Sequence, residues 1–272
     1  MRSFVCLFVS LVAFLGAHQF SQDQLDLFAS LRLSEAYLNA FPFETYKKCL
    51  QKNGDLFYVD FEKDMIKRFL AQGIGWENNL KEYMRKYVRS GSIALDIGAH
   101  IGIHTVTMAQ SVGSTGFVVA FEPQSKLYRE HHHNLKLNKI TNVITLHCAL
   151  SNARGKTRIA HNDNDEGGCA IGSKGEEVEM RTLDSFGFTD VSFMKIDVEG
   201  HEDFVIRGAR KTILNSHPVI LIEFLPHTFS HRSKPLKKQF KRHKTIRQLV
   251  ALGYEVKKVD HIDYLAIPRK RR

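Results

Sequence analysis

Four acidic residues each stand where an apolar run stops: Asp96 after SIAL, Glu122 after VVAF, Asp197 after FMKI and Glu223 after VILI. Carboxylates in such places can accept from hydroxyl groups, hold a cation, or take up a proton. After Asp96 comes a tight turn, Gly98-Ala99-His100-Ile101-Gly102. Its glycines let a ligand come close to the backbone, and the helix that follows offers free N–H groups at its start. Glu122 lies 26 positions after Asp96, where an acid can take both hydroxyls of a ribose. Together these features predict a nucleoside-binding βαβ unit.

The glycine pattern narrows the nucleoside. A dinucleotide turn needs G-x-G-x-x-G, and His100 occupies the middle glycine position. That leaves no tight seat for a pyrophosphate and disfavours a nicotinamide oxidoreductase. DIGAHIG, at 96–102, instead resembles the first motif of class I S-adenosylmethionine methyltransferases. The resemblance implies S-adenosyl-L-methionine as cofactor, with Gly98, Ala99, His100 and Gly102 around its methionine and ribose. Glu122 then binds the ribose hydroxyls, and Ala149, with Leu150, flanks the adenine. Asp96 either holds the ammonium group of the cofactor or caps the next helix.

A second acidic cluster follows in KIDVEGH: Asp197, Glu199 and His201. Methyl transfer is an in-line displacement, so the acceptor oxygen must be aligned and its proton removed. Asp197 ends its strand and is the expected base, with Glu199 and His201 beyond it at alternate positions. The plainer reading makes Glu199 a helix cap and His201 a solvated residue. His104, early in the helix after Gly102, faces the site. No metal site is predicted, because Asp197 and Glu223 need not converge. The run HHH at 131–133 points in three directions on a helix and reads as surface. The acidic loop NDNDEGG at 162–168 lacks a glutamate at its twelfth position from Asp163, where Lys174 stands, so it is not an EF-hand. Its Gly167–Gly168 pair suits a mobile loop over the substrate.

These residues need a scaffold. Strands are predicted at 93–97, 117–121, 143–148, 191–196 and 219–223, with helices at 103–112, 124–138 and 201–215 between them. Residues 156–159 and 177–180 suit a hairpin. A basic helix at 235–252 and a closing antiparallel pair, 253–257 with 263–267, complete the chain. Alternating strands and helices mean an α/β fold, a doubly wound, mostly parallel, Rossmann-like sheet with ligands at the strand ends. Upstream, 23–52 has helical spacing until Pro42, 57–61 suits a short strand, and 62–88 reads as helices around Gly73 and Gly75. The expected organisation is a signal peptide or membrane anchor at 1–22, a helical extension at 23–88 over the cofactor edge, and the catalytic domain at 89–272.

Composition adds limits. With 272 residues the chain suits one sizeable domain with appendages. The net charge of +10 is concentrated at 234–244 and 269–272. Such runs are solvated faces or engage an anionic membrane surface or glycan; without interleaved aromatics they do not suit nucleic acid. Four scattered cysteines signal neither zinc nor a redox dithiol, and only an exported chain would pair Cys169 with Cys148 or Cys49. Residues 3–17 are uncharged and follow Arg2, the layout of a signal peptide or uncleaved anchor. This predicts a membrane-associated or exported protein.

At greater length the chain resembles the FkbM family of S-adenosylmethionine-dependent methyltransferases. The resemblance is carried by LDIGAHIGIHT, VVAFEPQ, ALSNARG, RTLDSF, MKIDVEGHEDFVIRGA and PVILIEF, across about residues 80–225. His100 departs from the family's more frequent asparagine. The family implies O-methylation of a hydroxyl on a sugar, glycan or small metabolite. The competing expectation is a membrane-tethered binding protein that keeps the fold without turnover.

Overall fold

The computed structural model describes residues 20–60, 64–160, 166–225 and 243–269. The apolar segment 3–17, the basic residues 234–242 and 270–272, and positions 161–165 of the acidic loop lie outside the described residues.

The extension begins with α1 (Gln22–Ser30), opened by a reciprocal capping box between Ser21 and Gln24. The short α2 (Glu35–Asn39) follows. The strand expected at 57–61 is found, and a second strand that was not expected precedes it. Residues 47–59 form an antiparallel hairpin of β1 (Lys47–Leu50) and β2 (Leu56–Val59). The cause is tertiary. The backbone of Leu56 and Tyr58 bonds to the side-chain amides of Asn138 and Asn134, which do the work of a third strand. The extension is therefore mixed rather than helical throughout. It ends with α3 (Met65–Ala71) and α4 (Asn78–Tyr87).

The core follows the expected alternation. It runs β3 (Ile93–Ile97), α5 (Ile103–Val112), β4 (Phe117–Phe121), α6 (Ser125–Leu137) and β5 (Val143–Leu146). A side sheet comes next, from β6 (Ala149–Leu150), β7 (Gly155–Ala160), β8 (Ala170–Gly172) and β9 (Glu176–Arg181). β7 and β9 form the expected hairpin, with β8 added on the outer edge of β7. Then come β10 (Val191–Ile196), α7 (Glu202–Gly208) and α8 (Arg210–Ser216). The helix expected over 201–215 breaks at Ala209. Gly208 passes so close to the Ser151 carbonyl that a Cβ there would collide with it. The chain closes with β11 (Val219–Glu223), α9 (Lys244–Ala251), β12 (Tyr254–Lys258) and β13 (Asp263–Pro268).

The main sheet has the order β12-β13-β11-β10-β3-β4-β5. β13 is antiparallel to both neighbours, and the five strands from β11 to β5 are parallel. β3 and β4 are buried along their whole length, as helices on both faces require. Phe28 of α1 stacks with Phe186 and Phe188 in the main core, so the extension is built into the same hydrophobic body. Among the described residues no helix is long and apolar enough to cross a membrane. Cys49, Cys148 and Cys169 form no disulfide.

Candidate active site

Four adjacent strands deliver the four acids to one rim, in the spatial order Glu122, Asp96, Asp197, Glu223. Above that rim lies a cavity of about 320 Å³, whose wall includes Gly98, Glu122, Ala149, Asp197, Glu199 and His201. The segment 65–77 of the extension closes one side through Met65, Ile66, Trp76 and Glu77.

Glu122 is held by backbone alone. The N–H groups of His100 and Gln124 each donate to one of its oxygens at 2.8 Å. Burial raises its pKa against the pull of those donors. Each carboxylate oxygen keeps a second acceptor site. His100, which also lines the cavity, adopts a left-handed backbone, φ 51°. Its Nε2 meets Asp64 Oδ2 at 2.7 Å. Burial disfavours the imidazolium, but the Asp64 contact prevails and the pKa is raised. Asp64, likewise buried, is pulled down to about 2 by the same pair.

The turn glycines are steric necessities. A Cβ on Gly98 would collide with the Asp197 carbonyl, and one on Gly102 would strike the His131 ring. His131 therefore corrects the surface reading of the HHH run. It is fully buried, both ring nitrogens lack a hydrogen-bond partner, and burial pushes its pKa down to about 3. His133 is buried too, with its Nε2 2.8 Å from the Leu38 carbonyl.

Asp96 lies beneath the cavity rather than in its wall. It accepts from the Thr105 hydroxyl at 2.5 Å, tying β3 to α5. Ala99 is also set back, its N–H on the Phe121 carbonyl. Between Asp96 and Asp197 stands Lys195, which sequence reasoning passed over. Its ammonium donates to the Gly98 carbonyl at 2.8 Å and lies 3.0 Å from Asp197 and 3.9 Å from Asp96. Burial works against that charge, yet Asp197 and Asp96 hold its pKa above the ordinary lysine value. A lysine in an otherwise apolar, buried strand was the available signal.

Asp197, Glu199 and Glu223 converge after all, with one carboxylate oxygen of each within 4.8 Å of the others. Glu223 is pushed up to about 10 by burial and by the neighbouring charges of Asp197 and Glu199. Asp263, opposite Glu223 in the β11–β13 register, rises to about 7 for similar reasons. Glu199 adopts φ 53° and points into the cavity; Glu202, not Glu199, accepts from the Gly200 N–H at the start of α7. His201 is not solvated. It pairs with the Ser151 hydroxyl at 2.9 Å and stacks on Phe204, and burial lowers its pKa.

The Asp197–Glu199–Glu223 set offers oxygen donors only, which suits a hard divalent cation, with Lys195 already resting on one member. A second trio, Asp60, Glu130 and Glu166, is filled instead by the ammonium groups of Lys67 and Lys126 at 2.5–3.0 Å.

The cavity suits S-adenosylmethionine chemically. A buried carboxylate with preset oxygens suits a ribose; Phe121, Leu127 and Ile159 offer an apolar wall that suits adenine; the acid-rich end suits a cation. The family model for the methyltransferase FkbM domain matches residues 96–256. No curated protein sequence matches the chain. Among solved structures, the methyltransferase FkbM of Methylobacillus flagellatus is 18% identical, with 74% of this chain and 52% of that one covered and a TM-score of 0.46. The chain thus spans about half of that protein's length. An S-adenosylmethionine-dependent O-methyltransferase of Thermotoga maritima is 13% identical over 89% and 99% of the two chains, TM-score 0.44. Fibrillarin of Aeropyrum pernix, with natively bound S-adenosyl-L-methionine, is 14% identical over 85% of each chain, TM-score 0.43. With the domain model covering more than half of its length, the chain belongs to the FkbM methyltransferase family, whose cofactor is S-adenosylmethionine.

Proposed function

We propose that the chain methylates a hydroxyl oxygen on a sugar, glycan or small metabolite, with Asp197 as the base. The observation that carries this reading is the gathering of Asp197, Glu199 and Glu223 within 4.8 Å at the cavity wall. Asp197 stands two strands along the rim from Glu122. Bound S-adenosylmethionine supplies an electrophilic methyl group. Glu122, fixed by the His100 and Gln124 N–H groups, holds the ribose. Lys195 fixes one oxygen of Asp197, and the other accepts the acceptor's hydroxyl proton and orients its lone pair. Glu223 enters the reaction protonated at neutral pH and limits repulsion within the cluster.

The test is transfer from methyl-labelled S-adenosylmethionine to fractionated glycans, lipids and small metabolites. Label on an acceptor oxygen supports the reading, and label confined to nitrogen or carbon overturns it. The reading also sets the enzyme at a membrane through residues 3–17. Fractionation of the full chain beside residues 23–272 tests this, and equal solubility of the two argues against it.

A further inference from the structure

Glu77 reaches the cavity from outside the matched domain. It follows the turn Gly73-Ile74-Gly75-Trp76 and opens α4 with a left-handed backbone, φ 46° and ψ 46°. A non-glycine residue held there is strained. Its carboxylate lines the cavity, and Oε2 lies 3.2 Å from Nε2 of His104. That imidazole is more than nine-tenths buried, yet Nε2 is out of line for a hydrogen bond and lacks a partner. His104 is the second residue of α5, directly after the Gly98–Gly102 turn. Glu77 therefore sits over the end of β3.

That placement selects the ligand group. Glu122 fixes the ribose at β4, and the methyl must reach Asp197 at β10. β3 lies between them. The amino-acid branch of the cofactor leaves the same sulfur as the methyl, so β3 is where that branch lies. The local charge agrees. Glu77, Asp197 and Asp96 all act electrostatically on Lys195, and Glu77 acts on Asp263 as well. One lysine facing this many carboxylates leaves room for a further cation.

We propose that Glu77 binds the α-ammonium group at the amino-acid end of the cofactor. The inference rests on the S-adenosylmethionine reading of the cavity and makes the extension part of the cofactor site. S-Adenosylhomocysteine and 5′-methylthioadenosine separate the two ideas, because they share the adenosine and sulfur and differ in the amino-acid branch.

Calorimetric titration of both ligands into the full chain and its Glu77→Gln variant is the test. Glu77→Gln should weaken S-adenosylhomocysteine by about 10- to 100-fold, the range of a charge-assisted hydrogen bond. It should leave methylthioadenosine within about 3-fold. Equal loss for both ligands, or loss for neither, overturns the inference. A wild-type chain that binds neither ligand overturns the cofactor reading itself. Should Glu77→Gln not fold, Glu77→Asp keeps the charge on a residue tolerant of the left-handed backbone. Its shortened reach should then weaken S-adenosylhomocysteine alone.

Discussion

His100 donates its backbone N–H to Glu122 Oε2 at 2.8 Å, while its ring closes on Asp64 of the extension. The residue that departs from the family's usual turn thus links Glu122, the carboxylate proposed to bind the ribose, to a segment the domain match does not include.

Glu122→Ala should weaken S-adenosylmethionine binding by about 2–3 kcal/mol, the loss of two charge-assisted hydrogen bonds. Glu122→Gln should lose less, because one oxygen still accepts from the backbone. Calorimetry on folded variants measures both. Unchanged affinity in Glu122→Ala removes the ribose assignment.

The His100–Asp64 pair gives a pH signature. The raised pKa of His100 contributes stability that is complete below its unfolded value, about 6.5, and is lost as pH rises through the folded value. Asp64, lowered to about 2, contributes stability that is complete above about 4 and is lost as pH falls towards 2. The difference in melting temperature between wild type and Asp64→Asn should be greatest between about pH 4 and 6.5. There the variant should lose on the order of 2 kcal/mol. A difference independent of pH contradicts the pairing.

The acidic rim was legible in the sequence because four neighbouring parallel strands are apolar runs each followed or closed by an acid, and register did the rest. The β7–β9 hairpin was legible for the same reason, as a local pattern. What was hidden is tertiary. Asp64 and His100 are 36 positions apart, and nothing local couples them. His131 looked like surface because its partner is the missing Cβ of Gly102. The β1–β2 hairpin is specified by amides of Asn134 and Asn138, far along the chain. Convergence of Asp197 with Glu223 depends on β10 and β11 pairing side by side, which spacing alone does not state.

Lys67 makes a further test of how the extension is held. Its ammonium is fully buried among Asp60, Glu130 and Glu166, joining β2, α3 and α6. Lys67→Met should cost about 3–5 kcal/mol, because it leaves buried carboxylates with too little positive charge. Chemical denaturation measures it. A loss below about 1 kcal/mol would show that Lys126 alone satisfies the cluster.

The central claim is that Asp197 serves the chemistry rather than the fold. Asp197→Asn keeps the volume and still accepts from Lys195, but removes the basicity. Initial rates of methyl transfer to the identified acceptor, measured for both proteins at saturating S-adenosylmethionine, test it most directly. The account predicts turnover lowered by about 10²–10⁴-fold, with cofactor affinity and melting temperature nearly unchanged. Wild-type turnover in Asp197→Asn would contradict it.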